Sequence, residues 1–240
     1  MADFETALNR IADRSISIVK EARDLLRDVI SDACKTLSAA EGSILIPTPE
    51  RTHLQFLVSI NPELDRSDFT FPTSESVSGF VFNSGQAIAK INPESEIRDE
   101  ADQISKVETQ LLMAVPITDS NRILGVATFV NRTGKKKDKP FSPADLETAQ
   151  SLGEIFSAGL KFFQQVALSA DLTRVDLSEL ASELGTSSPA DVATDGETDD
   201  FRDTARLVEI SQALQDSERS LLNDMAGLLL EHSRRNQDEF

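Results

Sequence analysis

Two histidines and one cysteine are the only side chains of this sequence suited to proton transfer near neutral pH or to thiol chemistry. His53 and His232 stand far apart, in separate elements, and each reads as an ordinary surface or loop residue rather than half of an acid–base pair. Cys34 closes the first predicted helix, where a free cysteine usually serves as a small buried hydrophobe. One thiol forms no internal disulfide and fits a reducing compartment. No Cys/His cluster has the spacing of metal ligands, so no metal and no cofactor are expected. Phosphate-cradling GxxxxGK[ST] and GxGxxG motifs and the G-x-S-x-G nucleophile turn do not occur in the sequence. The expectation is a protein that is not an enzyme, with no catalytic residues.

One stretch still looks chemically active. In "NRTGKKKDKPFSPADLE", Asn131 to Glu147, four lysines (Lys135, Lys136, Lys137 and Lys139) fall in five positions of a chain with formal net charge -17. Gly134 and Pro140 punctuate the run, and a solvated loop is its plain reading. The sharper reading is a basic patch that docks an acidic segment, and the chain has one: Asp171 to Asp203 carries ten acids against two arginines.

The surrounding elements must position whatever these residues do. At 240 residues, 39% of them hydrophobic, the chain suits one domain with extensions or two small domains. The 13 Phe are its only aromatic residues, which excludes pockets built on an indole or a phenol. The opening "MADFETALNRIADR" lacks the pattern of a signal peptide. The longest apolar run, "LLMAVPI", is far below the roughly 20 residues of a membrane span, so a cytoplasmic location is expected. The acidic balance opposes general binding to nucleic acid or to an anionic membrane.

Phe4, Leu8, Ile11, Ile18, Leu25 and Val29 recur in steps of three and four residues if Ser15 and Ala22 fill the gaps. Val19, Leu26 and Ile30 widen the stripe. This predicts a helix of about 30 residues with a near-heptad seam, longer than one small sheet requires: a dimerising or signal-transmitting helix with these residues as its interface, or a long core helix of a monomer. After "AAEG" the period falls to two. "SILIP" reads as a short strand, and Leu54, Phe56, Val58 and Ile60 alternate with Gln55, Ser59 and Asn61 as in a half-buried strand. "SVSGFVFNSG" predicts a short helix capped by Gly85, "QAIAKIN" a brief strand, and Pro93 to Lys106 a charged loop with a helical turn. "LLMAVPI" and "RILGVATFV", joined by "TDSN", are apolar on both faces and predict a central antiparallel hairpin. Ser142, Pro143 and Asp145 start a last helix through Leu152, Phe156, Leu160 and Phe163. The class is α+β: an antiparallel β-sheet flanked by α-helices, with a long N-terminal helix and an extra C-terminal one.

"ESVSGFVFNSGQAIAKINPESE", "ISKVETQLLMAVPITDSNRILGVATFVNR" and "FSPADLETAQSLGEIFSAGLKFFQ" together resemble the GAF domain family over roughly Leu25 to Gln165. The family's Asn-Lys…Phe-x-x-x-Asp-Glu pattern, known in cyclic-nucleotide-binding members, is represented by Asn131, Arg132, Phe141 and Asp145. Arg132 replaces Lys, and Leu146 stands where the family has Glu, with Glu147 one residue late. The resemblance implies that these residues brace the loop and helix start rather than touch ligand. It also implies a small-molecule pocket between the sheet and the small helices, with Ser76, Ser78, Phe80, Phe82, Asn92, Glu108, Thr109 and Thr128 as candidate lining. Phe80 and Phe82 would offer stacking surface. The single thiol does not suit the multi-cysteine chemistry of GAF-like free-methionine sulfoxide reductases, and Cys34 does not match the bilin-attaching cysteines of phytochrome-like members.

The expected layout is residues 1–24 as the start of the long helix, 25–165 as the GAF domain, 166–200 as an acidic linker with a short helix in "DLSELASELG", and 201–236 as an amphipathic helix. Leu207, Ile210, Leu214, Leu221 and Leu228 form the apolar stripe of that last helix, which needs a partner surface to be stable. Two functions are compatible with this layout. One is a homodimeric regulatory sensor that binds an unidentified small molecule and signals through protein contacts of its terminal helices. The other is a ligand-free dimerising adaptor that recruits a protein partner through the acidic linker and C-terminal helix.

Overall fold

The N-terminal periodicity forms one helix, α1 (Ala2–Leu37), in the computed structural model, which describes residues 2–93, 96–120 and 122–183. Its inward stripe is Val19, Ala22, Leu26, Ile30, Ala33 and Leu37, all buried against the sheet or the last helix. Burying a leucine or isoleucine of this kind contributes about 2 kcal/mol. The strands after it are β1 (Ala39–Pro47), β2 (His53–Ser59), β3 (Thr70–Pro72), β4 (Ile88–Ile91), β5 (Leu111–Asp119) and β6 (Arg122–Arg132). They form one antiparallel sheet in the order β3-β2-β1-β6-β5-β4. The strands read as apolar on both faces, β5 and β6, lie inside the sheet.

The described residues form five further α-helices: α2 (Pro62–Asp65), α3 (Val77–Ser84), α4 (Glu96–Ser105), α5 (Pro143–Ser151) and α6 (Gly153–Glu183). The sheet thereby separates two cores. On one face Ile44, Ile46, Met113, Val115, Ala127 and Phe129 pack with α1 and α6, including Leu26, Phe156, Leu160 and Phe163. On the other, Leu45, Phe56, Ala114 and Val126 pack with Leu64 of α2, Val81 and Phe82 of α3 and Ala101 of α4.

Several sequence expectations are corrected here. The charged stretch after Pro93 is a ten-residue helix, α4, because Ile97, Ala101 and Ile104 fall at helical spacing and pack on the second core. The helix from Ser142 is two helices: α5 ends at Ser151 with Leu152 as its C-cap, and α6 begins at Gly153, whose missing Cβ faces the Pro116 carbonyl. Helix α6 then runs without a break into "DLSELASE", so no separate short helix stands there. Strand β1 already starts in "AAEG". Finally, β2 does not alternate to its end. A register shift between Ile44 and Leu45 sets Ile44 opposite Val58 and Leu45 opposite Phe56, so Leu57 is an extra residue, and both Leu57 and Val58 enter the first core. A bulge of this kind re-aims the side chains beyond it. Ser59 is thereby buried on the side of Phe56 instead of facing solvent.

Candidate functional site

The bulge completes a row of small side chains across the sheet. Ser59 pairs with Ser43, Ser43 with Thr128, Thr128 with Ala114 and Ala114 with Ile88, so five adjacent strands contribute one residue each. Thr128 lies two residues from Val126 and therefore on the side of α3 and α4. Ser43, Ser59 and Thr128 are all buried. The Ser43 hydroxyl donates to Ser59 Oγ at 2.9 Å, and Ser59 Oγ also accepts from the Asn61 N–H at 3.2 Å. Asn61 caps α2 through its Oδ1, while its Nδ2 donates to Glu41 Oε1 at 2.8 Å and to the Ser105 carbonyl at 3.2 Å. Thus one buried amide joins α2, β1 and the end of α4.

The rim beside Ser105 is fixed by Asp102. Its carboxylate accepts from the Thr109 N–H and hydroxyl, both at 2.6 Å, and from Arg98 Nε at 2.9 Å. By contrast, Thr128 is 6% exposed and its hydroxyl has no hydrogen-bond partner among the described residues. The hydroxyl of Ser78, a buried residue, is likewise without one among those residues. Neither oxygen is among the fully buried polar atoms without a partner, which among the described residues are Thr48 Oγ1 and Arg132 Nε, so both remain open to a small molecule or water.

The remaining sequence candidates fall into other roles. Ser76 is the N-cap of α3, accepting from the Gly79 N–H at 2.9 Å. Phe82 is in the second core, with the Arg51 guanidinium 4.9 Å from its ring centre. Phe80 is 47% exposed, and Asn92 is exposed with φ of 45°. Glu108 is exposed and gives its carbonyl to Asn131 Nδ2. Of the sequence candidates Thr128, Ser78 and Thr109 are thus buried, and the hydrogen-bonded row and rim bring in Ser43, Ser59, Asn61, Ser105 and Asp102. Strict alternation hid Ser59 and Asn61, since both looked solvent-facing.

The four motif residues form a brace at the opposite end of β6 from its hairpin. Asn131 Oδ1 accepts from the N–H groups of Gln110 and Leu111, anchoring the entry to β5. Arg132 donates to both Asp145 oxygens, to the Pro140 carbonyl and to the Leu37 carbonyl, with Phe141 stacked 4.8 Å from its guanidinium. Ser142 and Asp145 make a reciprocal cap at the start of α5. The four lysines are exposed, three of them at or beside a 3-10 turn (Gly134–Lys136), and Lys136 Nζ lies 3.4 Å from Asp145 Oδ1. The acidic segment considered as their partner lies outside the described side chains.

Burial, with a smaller push from Glu41, raises the Cys34 thiol to about 12. His53 is half-buried, its Nδ1 3.0 Å from Thr52 Oγ1; His232 is outside the described residues. Of the predicted interface residues on α1, Ile11, Ile18 and Leu25 are exposed, whereas Val29 is half-buried against the first core. The side chains of Phe4 and Leu8, and all of Leu207, Ile210, Leu214, Leu221 and Leu228, lie outside the described set. No helix among the described residues is long and apolar enough to cross a membrane.

A family model described as GAF domain matches residues 21–160. No curated protein matches the chain. Among solved structures, the GAF domain from a phosphoenolpyruvate-protein phosphotransferase of Coxiella burnetii is 13% identical with a TM-score of 0.51, the match covering 65% of this chain and 93% of that one. The GAF domain of the Acinetobacter phosphoenolpyruvate-protein phosphotransferase is 16% identical over 67% of this chain and 96% of its own, with a TM-score of 0.48. The GAF-B domain of DevS from Mycobacterium smegmatis is 14% identical over 59% and 93%, with a TM-score of 0.46. At these identities the likeness is one of fold.

Proposed function

The chain belongs to the GAF domain family, whose members are in general regulatory and sensory modules, and from that premise we propose that it is a non-enzymatic sensor working as a homodimer in the cytoplasm. A small molecule sits on the sheet face beneath α3 and α4, over the row Ser43, Ser59 and Thr128. Its occupancy is passed on through the terminal helices to a protein partner engaged by the acidic linker and the amphipathic segment after it.

The observation that carries the ligand reading is Thr128, a residue 6% exposed whose hydroxyl has no partner among the described residues and is not sealed from solvent, next to Ser43 on the adjacent strand, which in turn binds Ser59. Such an open hydroxyl on the sheet face is free to bind a small molecule or water. The dimer reading is supported by Ile11, Ile18 and Leu25, which repeat every seventh residue on the outward side of α1 and are exposed. Helix α6 presents Ile155 and Phe162 with the same spacing. Heptad spacing of apolar residues is what a helix–helix seam requires.

Native mass spectrometry of gently purified protein, set against the denatured mass, tests both parts. A dimer with the same excess mass on each subunit is the expected result, and Thr128→Val keeps the dimer while losing the excess. Bare subunits in both proteins overturn the ligand reading and leave a dimerising adaptor. A monomer overturns the dimer.

A further inference from the structure

We infer that Asp65 is a positioning residue that ties the floor of this site to α1, so that a change at the floor is transmitted to the helix carrying the exposed heptad stripe. The inference rests on the proposed ligand site and adds the route by which occupancy leaves it.

Asp65 is the last residue of α2, a four-residue helix held at its start by Asn61. Its side chain is 13% exposed and is shared between two elements. Oδ1 accepts from the Ser59 backbone N–H at 2.7 Å. Oδ2 accepts from Arg27 at 2.8 Å and lies 3.4 Å from Arg23. Arg23 also donates to the Leu57 carbonyl at 2.9 Å and to the Asp65 carbonyl at 3.2 Å. The two arginines are one helical turn apart on α1, and Leu25, the most exposed member of its stripe, lies between them in sequence.

The floor end of this link lies next to the bulge in β2. Leu57 is the bulged residue, two positions before Ser59, which is itself paired with Ser43. Ser59 is bound to Ser43 through its hydroxyl and to Asp65 through its N–H. A molecule that displaces Ser43 therefore pulls on Ser59, and Ser59 shares a carboxylate with the two α1 arginines. Charge-assisted hydrogen bonds at low exposure are strong enough to carry such a shift, because breaking them leaves charge poorly solvated. Asn61, joined to the end of α4 through the Ser105 carbonyl, holds the other side of the same serine.

Hydrogen–deuterium exchange tests the link without any ligand. Ser43→Val removes the hydroxyl contact to Ser59 and adds bulk to the floor. In the otherwise unchanged protein, this variant is expected to alter exchange at residues 57–61 and, by about threefold or more, at residues 16–30 of α1. With Asp65→Asn or Arg27→Gln added, the response at 57–61 persists and that in α1 disappears. Arg27→Lys, which keeps the charge, restores part of it. Arg27→Gln leaves Asp65 on the Ser59 N–H and on Arg23, so it reads the link even if Asp65→Asn does not fold. An equal α1 response with and without the link overturns the proposal. So does the absence of any α1 response to both Ser43→Val and Ser59→Ala. Failure of the ligand reading is seen separately, as bare subunits in native mass spectrometry, and leaves this result standing.

Discussion

Arg132 grips Asp145 at two points, with N–O distances of 2.7 and 3.1 Å, and thereby clamps the end of β6 to the first turn of α5. Burial by itself would raise the Asp145 carboxyl, but hydrogen bonds from Arg132 and Ser142 outweigh it and hold the group well below the usual carboxylate range. A depressed folded-state pKa contributes stability that is complete above the unfolded value of about 3.9 and is lost as pH falls below it. Asp145→Asn should cost about 3 kcal/mol at neutral pH, since it leaves Arg132 buried without its counter-charge. It should also flatten the loss of stability below about pH 4. Urea unfolding of both proteins across pH checks this. Parallel pH curves would show that acid sensitivity arises elsewhere.

Gly79 sits where α3 meets the chain leading into it. A Cβ there would lie 2.4 to 2.6 Å from the carbonyl oxygen, Cα and carbonyl carbon of Thr73, all backbone atoms that cannot rotate away. Alanine in a helix normally gains about 1 kcal/mol over glycine. Here the overlap should dominate, and Gly79→Ala is expected to destabilise the domain by about 2 kcal/mol. Chemical denaturation measures it. An unchanged or raised midpoint would mean that α3 stands off from Thr73.

The Cys34 thiol is raised to about 12, first by burial and second by Glu41. At pH 8 its thiolate fraction in the folded protein is smaller than in an unfolded chain by roughly a thousandfold. Ellman's reagent should therefore label the native protein very slowly and the urea-unfolded protein at the ordinary rate. Rapid native labelling would show that the end of α1 opens away from Gly42, whose missing Cβ leaves room for the sulfur.

Where local chemistry and tertiary demand coincide, the sequence was legible. Leu111 to Ile117 and Leu124 to Val130 carry little but apolar side chains, which only an inner strand can bury on both faces, and both strands are inner ones. Ser142, Pro143 and Asp145 announce a helix start because each satisfies a backbone need at its own position. The heptad of α1 was visible, but the division between its buried and exposed sides depends on where α6 lies. Ser59 was misread because a bulge leaves no mark in an alternating pattern: Leu57 and Val58 are both apolar, and either could have been the inward one. Helix α4 was obscured by its charges, although Ile97, Ala101 and Ile104 have the spacing of one helical face. Thr128 and Ser78 entered through the family resemblance, whereas Ser43 was missed because its role depends on which residues the neighbouring strands set beside it.

Leu25 and Leu26 are consecutive on α1 and should separate assembly from folding. Leu26 is 1% exposed and lies under Gly159 of α6, where a Cβ would come within 2.8 Å of its Cδ2. Leu26→Ala opens a cavity between helix and sheet and should cost about 3 kcal/mol. Leu25 is 51% exposed, in register with Ile11 and Ile18, so Leu25→Glu removes little from the folded subunit but places a charge in any helix–helix seam. Sedimentation velocity should show Leu25→Glu shifted toward monomer, with the unfolding transition of the subunit nearly unchanged. A Leu25→Glu protein that stays dimeric would move the interface to another face. A dimer weakened by Leu26→Ala at full subunit stability would mean that the inward stripe, not the outward one, meets the second copy.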